Sequence, residues 1–414
     1  MKAVLVRGYG DVNQLFYGDT PDLKPGPGEV LVRMSATSIN PIDWKLRRGD
    51  LKALMPLQFP AILGRDLAGE VVGLGDGVES RKIGDRVLGL VNHAYAEYVL
   101  CKADELALIP SGLTFEQAAA LPLVVLTGAQ LIEKGVRPRS GETILITGAV
   151  GGVGRTAVHV ARQHGAHVIA GVRSSQKKEA EGLGADRILA LDSASDVASL
   201  KELDAVADTV GHEVIAALIP HIKKNGVLAT VVGRPEAANG RDLRIEEIWA
   251  QPDSPRLERL AYEVAGGKFS IPIRREFKLS DIRYADPMAE KGGIGKIILV
   301  ASRGYASGRW SLLRRWFPET LVLYRMRPIA EVRTQVGSVL ESRSIQRFEG
   351  SRFRPRRTLW DFNQLWVGSC RKEEYLWGDR QSGAHLFSHG AKAPDGLIVT
   401  RDTAFFKTYC YLNR

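Results

Sequence analysis

The stretch that most limits what this chain can fold into is Glu142-Thr-Ile-Leu-Ile-Thr-Gly-Ala-Val-Gly-Gly-Val-Gly154. An apolar run breaks into closely spaced glycines and then into a helix-patterned segment, Arg155 to His164. The pattern predicts a strand, a tight turn and a helix start. Gly148, Gly151 and Gly154 let the backbone turn sharply and approach a ligand, Gly152 leaves further room, and unpaired amides at a helix start attract phosphate oxygens. A pyrophosphate cradle is the expectation, although a plain strand-to-helix turn uses glycine in the same way.

About twenty residues further on, where dinucleotide folds read the adenosine ribose, the apolar run His167 to Val172 ends in Arg173-Ser-Ser-Gln-Lys-Lys178. An acidic residue there would accept the ribose hydroxyls of NAD, whereas an arginine with serines and lysines suits a 2′-phosphate. NADPH is therefore favoured over NADH, the alternative being a solvated basic helix start. Asp186 to Leu191, Asp204 to Gly211 and Gly226 to Gly233 continue the alternation, with helix-like Glu213 to Lys223 before the last. Strands alternating with helices predict an α/β fold with a parallel, doubly wound Rossmann sheet.

The 414 residues suffice for two or three domains and a sizeable core, and 44% hydrophobic content is ordinary for a globular chain. No apolar run of membrane-spanning length and no signal-peptide pattern is visible, so a cytoplasmic protein without membrane partners is expected. Cys101, Cys370 and Cys410 form no close pair, which suggests neither a disulfide framework nor a Cys-x-x-Cys motif. The net charge of +10 is unevenly spread: residues 301–414 hold 20 of the 57 basic and 10 of the 47 acidic side chains, leaving 37 of each in the first 300. That tail also holds five of the seven tryptophans, and 17 of its 20 basic residues are arginine. A boundary near Val300 follows, and nothing before it argues for nucleic-acid binding.

Residues 1 to about 123 carry short strand-like runs, Val30 to Met34, Asp66 to Val72, Arg86 to Val91 and Ala94 to Val99, punctuated by Pro-Gly-Pro-Gly at 25–28 and Gly-Asp-Gly at 75–77. A barrel-like β region is expected. Thr114 to Leu121 reads as a capped helix leading to the next domain.

Several segments in order carry a specific resemblance: Asn40-Pro-Ile-Asp-Trp-Lys-Leu-Arg-Arg-Gly49, Leu63-Gly-Arg-Asp-Leu-Ala-Gly-Glu-Val-Val72, Ile83-Gly-Asp-Arg-Val87, Ala118 to Pro122 followed by Leu126-Thr-Gly128, the glycine loop, Leu183-Gly-Ala-Asp186 and Gly295-Lys-Ile-Ile-Leu-Val300. Residues 1 to 300 resemble the zinc-independent quinone oxidoreductase branch of the medium-chain dehydrogenase/reductase superfamily. The resemblance implies a GroES-like catalytic domain over 1–123, completed by about 265–300, and an NADP-binding Rossmann domain over 124–264. The basic Arg/Trp-rich segment 301–414 is left as a tail of uncertain structure.

Zinc-dependent relatives carry an early cysteine, a Gly-His-Glu segment and a four-cysteine lobe. This chain reads Ile39-Asn40 and Gly64-Arg65-Asp66 and has no such lobe, so no metal site is expected; catalytic zinc needs three protein ligands. His159, His164 and His167 are expected to face solvent or satisfy local hydrogen bonds. Without zinc, acceptors whose own conjugation spreads incoming charge are favoured, which implies NADPH-dependent reduction of quinones or α,β-unsaturated carbonyls (enones). A zinc-free carbonyl or alcohol reductase and a non-catalytic NADPH-binding sensor or scaffold are the rival readings.

By the resemblance Asn40 lies beside nicotinamide and acceptor, and Lys45 is the candidate to stabilise an oxyanion or relay a proton; a solvated surface lysine is the alternative. Cofactor contacts are assigned to Thr127, Gly148, Gly151, Gly152, Val153, Gly154, Arg173, Ser174, Lys177, Gly211 and Gly233. Asp43 is read as a helix cap or as orienting Lys45, and Arg65-Asp66 as an ion pair or a nicotinamide contact. Tyr95 and Tyr98 are expected on one face, packing the core. A homodimer through the outer edge of the nucleotide-binding sheet is usual in the resembled family.

In the tail, Thr320 to Tyr324 and Gly396 to Thr400 are candidate short strands, and Ser351-Arg-Phe-Arg-Pro-Arg-Arg357 mixes cations with aromatics as single-strand nucleic-acid binders do. Disorder or an unrelated extension is the favoured reading of that run. The spacing of Cys370, His385, His389 and Cys410 is too loose to suggest zinc.

Overall fold

The computed structural model describes residues 1–301 together with two strands, Leu397–Asp402 and Lys407–Leu412. The chain divides into two compact units, Met1–Tyr305 and Ala306–Arg414.

The first unit opens with β1 (Lys2–Val6), β2 (Leu15–Asp19), β3 (Glu29–Ser38), α1 (Pro41–Arg48), β4 (Ala61–Ile62), β5 (Asp66–Leu74), β6 (Arg86–Leu90), β7 (Tyr98–Lys102) and β8 (Leu106–Leu108). Along β3, buried positions alternate with half-buried ones for most of its length, the mark of a strand with one face on the core. It pairs antiparallel with β5 and β7. The strand expected from Ala94 starts only at Tyr98; Ala96 makes a lone bridge to Ala3, because the preceding residues bond instead to the turn at Leu63 and Gly64.

Helices α2 (Phe115–Ala119) and α3 (Pro122–Gln130) lead into the second layer system. The Thr114 hydroxyl accepts from Gln117 N and caps α2 as read from the sequence. There follow β9 (Thr143–Thr147), α4 (Gly152–Gln163), β10 (His167–Val172), α5 (Lys177–Ala180), β11 (Arg187–Ala190), α6 (Ala194–Ala198), β12 (Leu203–Asp208), α7 (His212–Leu218), β13 (Ile222–Thr230) and β14 (Arg244–Glu247). These strands form one parallel sheet in the order β11-β10-β9-β12-β13-β14, so the Rossmann expectation holds. The order reverses between β9 and β12, the place where doubly wound sheets bind ligands beyond their carboxyl ends.

The helix expected over Glu213 to Lys223 is shorter. It ends at Leu218, and Ile222 already pairs with Leu203, since Pro220 lacks the amide a continuing helix needs. Conversely, α4 starts at Gly152, three residues before the expected Arg155.

Finally α8 (Ser254–Ala265), β15 (Ile273–Lys278), α9 (Ile282–Glu290) and β16 (Lys296–Val300) return the chain to the first lobe, where β16 pairs antiparallel with β3. One apolar core runs from Ala36, Ala68 and Leu88 through Leu121, just before α3, and Val125 of α3 to Ile144 and Ile146 of β9. The lobes are therefore joined by packed side chains. A second core, with Val32, Leu67, Val87 and Leu299, fills the barrel.

In the second unit, β17 (Leu397–Asp402) pairs antiparallel with β18 (Lys407–Leu412). The first matches the strand expected from Gly396. Thr320 to Tyr324, the run at 351–357, Cys370, His385 and His389 lie outside the described residues.

Candidate active site

The glycine loop joins β9 to α4 at the point where the strand order reverses. Gly148 has φ +61, and a Cβ placed on it would lie 2.5 Å from the Thr209 hydroxyl. A Cβ on Gly154 would collide with the Gly148 carbonyl and lie 2.7 Å from Ala149 Cα. Only glycine at these positions lets helix start and strand end meet so closely. The amides of Gly152, Val153 and Gly154 sit in the first turn of a 12-residue helix, where no intrahelical acceptor reaches them. Gly151 N is turned to the Gly148 carbonyl at 2.9 Å. The cradle thus fits a pyrophosphate by its shape and by its free donors.

Asp208, absent from the sequence assignments, fixes this end of the sheet. Fully buried, it accepts from Thr147 Oγ1 (2.9 Å), Gly211 N (2.9 Å) and Thr230 Oγ1 (3.1 Å). It thereby ties the ends of β9, β12 and β13 together and sets Gly211, with φ +76, beside the glycine loop. Gly233, with φ +100, turns the chain after β13 and lies open to solvent on its Cβ side. The signal for Asp208 in the sequence is a carboxylate closing the apolar run Ala205-Val-Ala207.

Arg173, Ser174 and Lys177 follow β10 and are exposed. Ser174 is engaged by Asp192, which accepts from its hydroxyl (2.8 Å) and its amide (2.7 Å); these bonds hold the Asp192 carboxyl below the usual carboxylate range. Lys177 pairs with Asp196 at 2.9 Å. The Arg173 guanidinium has no ion pair among the described residues. Of the two cations, Arg173 is the one without an ion pair, although its charge helps to lower the nearby Asp192 carboxyl. Thr127 is 8% exposed and donates its hydroxyl to the Leu123 carbonyl at 2.6 Å.

The barrel contributes a buried polar knot. Asp66 is fully buried at the start of β5. It accepts from the Ser38 hydroxyl and from Asn40 Nδ2 (2.8 Å) on one oxygen, and from Leu123 N (2.7 Å), at the head of α3, on the other. Lys296, from β16, points its ammonium at Asn40 Oδ1 (2.5 Å), the Ile39 carbonyl (3.2 Å) and Asp66 Oδ2 (3.5 Å). Burial pushes the Lys296 amine down, against the pull of Asp66 and Asp43. Both ends of the Asn40 amide are consumed within the protein and the residue is 1% exposed, so it braces the junction of the lobes rather than presenting its side chain to the cleft. Through Leu123 and Val124, whose Cγ1 lies 3.0 Å from where a Gly152 Cβ would stand, the knot adjoins the cofactor loop.

Lys45 lies half-buried on α1 with its ammonium 5.7 Å from the Trp44 ring centre and no acidic partner among the described residues. Its neighbour Arg47 is fully buried and clamps α1 to α9 through Asp286 (2.7 Å) and Glu290 (3.0 Å). Arg65 does not pair with Asp66; its guanidinium donates to Asn92 Oδ1 at 2.8 Å, while Lys296 takes the place next to Asp66. Nor do Tyr95 and Tyr98 share a role. Tyr95 is buried and donates to Asp43 Oδ2 at 2.8 Å, whereas Tyr98 is half-buried on β7. The odd spacing of the pair cannot put both on one side of a strand.

Asp43, in the first turn of α1, accepts from the amide of the N-cap residue Asn40 at 2.8 Å and so closes the helix start, and its second oxygen is buried with no partner. Burial pushes its carboxyl up to about 7. The native state therefore holds this proton to higher pH than the unfolded chain, whose value is 3.8. On this group's account stability is highest below about 4, falls as pH rises to about 7 and is flat above, a loss on the order of 4 kcal/mol. Asp43→Asn keeps an acceptor for Tyr95 and removes the titration. We expect the wild-type stability minus that of Asp43→Asn to fall across this window in urea unfolding; a difference that stays constant with pH refutes the assignment.

His159 Nε2 lies 2.7 Å from Glu263 Oε2 and its ring stacks on Phe269, His164 lies 3.9 Å from Glu133, and His167 is exposed. Cys101 is buried, which pushes its thiol up to about 12. Among the described residues no group of three His, Cys, Asp or Glu side chains is placed to hold a metal ion, and no helix is long and apolar enough to cross a membrane.

Two family models match the chain: the alcohol dehydrogenase GroES-like domain over residues 26–111 and the zinc-binding dehydrogenase domain over 152–251. A quinone-oxidoreductase homologue of Spinacia oleracea, described as chloroplastic, is 37% identical over 199 residues, or 46% of this chain and 60% of that protein. The chloroplast envelope quinone oxidoreductase homologue of Arabidopsis thaliana is 32% identical over 322 residues, covering 72% of this chain and 98% of its own length. The solved quinone oxidoreductase of Coxiella burnetii superposes with a TM-score of 0.67 at 30% identity, over 73% of this chain and 99% of that one.

Proposed function

The chain belongs to the quinone oxidoreductase-like branch of the medium-chain dehydrogenase/reductase superfamily, a family of nicotinamide-dependent oxidoreductases, and on that footing we propose that it reduces quinones or α,β-unsaturated carbonyls with NADPH. The observation that carries this reading is the pairing of a steric and electrostatic pyrophosphate cradle at Gly148–Gly154 with an uncommitted arginine, Arg173, at the end of the neighbouring strand β10.

Bound NADPH supplies the hydride. Around it, the amides of Gly152, Val153 and Gly154 hold the pyrophosphate, Arg173 meets the 2′-phosphate, and the turns at Gly211 and Gly233 leave room on the other side of the loop. Asn40 acts through position: with Asp66 and Lys296 it locks α1 against the head of α3. Lys45 is the group we assign to the developing enolate or hydroquinone oxygen, because its ammonium is held near Trp44 without a carboxylate to neutralise it. The chemistry as read needs no metal: where zinc-dependent relatives carry ligands, Asn40 and Arg65 are already engaged with protein partners. Among the described residues the edge strand β14 pairs only with β13, and its outer ladder is where a homodimer would form.

The decisive experiment follows NADPH absorbance with the full-length protein and a panel of phenanthrenequinone, a short 2-alkenal and a saturated ketone. Turnover confined to the conjugated acceptors supports the reading; turnover of the ketone alone points to a carbonyl reductase, and NADPH binding with no turnover points to a sensor. Run beside it, a Lys45→Met variant with undiminished kcat would remove that residue from the chemistry.

A further inference from the structure

Three neighbouring strands of the parallel sheet end in the same way. β12, β13 and β14 close at Asp208, Thr230 and Glu247, and these residues stand opposite one another in the pairing register. The pairing continues one residue further, Val231 N bonding to the Asp208 carbonyl and Ile248 N to the Thr230 carbonyl. At this next position each chain still points inward: Thr209 donates to the Thr147 carbonyl, and Val231 and Ile248 pack on the core. At the position after that each chain presents an exposed apolar residue: Val210 (38% exposed), Val232 (37%) and Trp249 (49%).

Strand spacing near 4.8 Å makes this row about 10 Å wide. It starts at the cofactor loop, since Val210 Cγ2 lies 3.1 Å from where a Gly148 Cβ would stand, and it continues outward, since Val232 Cγ2 lies 2.9 Å from the corresponding point on Gly211. The adenosine side, marked by Arg173 just after β10, is at the opposite side of the loop. A dinucleotide laid across the reversal point therefore directs its nicotinamide half toward this row. Large apolar side chains left in water at the carboxyl ends of parallel strands mark a binding surface, and the indole is its broadest flat face. Trp249 is also steadied from behind: Gln130 bonds the backbone of Gln251 through both its amide atoms, at 2.8 and 3.0 Å.

We propose that Val210, Val232 and Trp249 form the acceptor shelf, and that its width and flat indole select planar, multi-ring quinones over short enals. This rests on the reading of the chain as an NADPH-dependent reductase of conjugated carbonyls, and sharpens its substrate class. An electron-poor quinone ring stacks on the electron-rich indole face and covers the two valines, whereas a short alkenal beside the nicotinamide ends before it reaches Trp249.

The test compares full-length wild type, Trp249→Ala and Trp249→Phe, each with NADPH and either phenanthrenequinone or 2-hexenal. The ratio of kcat/KM for the quinone to that for the enal is expected to fall about tenfold in Trp249→Ala, through KM, and to be partly restored in Trp249→Phe. NADPH affinity, read from the fluorescence of the bound cofactor, reports whether the variants fold. An unchanged ratio overturns the shelf. A second arm measures phenanthrenequinone binding to the NADP⁺ complex by equilibrium dialysis, where Trp249→Ala is expected to bind about tenfold more weakly. If wild type turns over neither acceptor, the proposed function fails, yet the dialysis arm still decides the shelf: equal binding by wild type and variant refutes it.

Discussion

Lys296→Met is expected to cost about 3–5 kcal/mol of folding stability at neutral pH, the usual effect of leaving a buried charge without its partner. Methionine matches the lysine stem in length and apolar character, so little of this loss is packing. What it removes is the ammonium that faces Asn40 Oδ1, the Ile39 carbonyl and the fully buried Asp66. Asp66 then keeps its bonds from Asn40, Ser38 and Leu123 but has no countercharge among the described residues. Urea unfolding of wild type, Lys296→Met and the double variant Lys296→Met with Asp66→Asn gives the check. The double variant should recover part of the loss, because neutralising the stranded carboxylate removes the largest penalty. If Lys296→Met unfolds at the wild-type midpoint, the knot at the junction of the lobes is not held by charge.

Arg173→Ala is expected to weaken NADPH binding by about 10- to 100-fold while leaving NADH within about twofold, since a charge-assisted bond to a phosphate contributes roughly 1.5–3 kcal/mol and NADH carries no phosphate at that position. The structure narrows the effect to this residue. Ser174 is already bonded to Asp192 and Lys177 to Asp196, so either must give up a partner before it can serve a phosphate. Lys177→Ala should accordingly have the smaller effect. Fluorescence titration of both cofactors measures the constants. Parallel losses for NADPH and NADH would show that Arg173 does not read the 2′-phosphate, and the presence of Asp192 beside it would then favour the unphosphorylated ribose.

Local pattern was enough for most of the parallel sheet, because β9, β12 and β13 are largely apolar runs followed within three residues by glycine, and both signals belong to neighbouring residues; the charged edge strand β14, Arg-Ile-Glu-Glu, carries neither signal. The glycine loop was legible for the same reason: its shape comes from glycines within seven positions of one another. Where local pattern misled, a single residue or an odd spacing was responsible. Pro220 ended α7 early, and the three-residue step from Tyr95 to Tyr98 split the pair between different environments. Asp208 and Lys296 did leave a trace, a charge at the end of an apolar run, but the trace says only that a partner must exist.

What the sequence determined by itself, then, is the doubly wound sheet, the barrel before it, the glycine turn between β9 and α4 and the family, all of them carried by short-range pattern or by the order of motifs. Tertiary structure alone decided which charges meet. Asp66 belongs to Lys296, 230 residues away, and not to the adjacent Arg65; Arg47 is bound to Asp286, 239 residues away; and the Asn40 side-chain carbonyl is taken by the same lysine from β16. The reason is physical: a buried charge needs a countercharge or donors within hydrogen-bond reach, and in a compact fold that reach is set by strand pairing and lobe packing, which bring together residues with no relation along the chain.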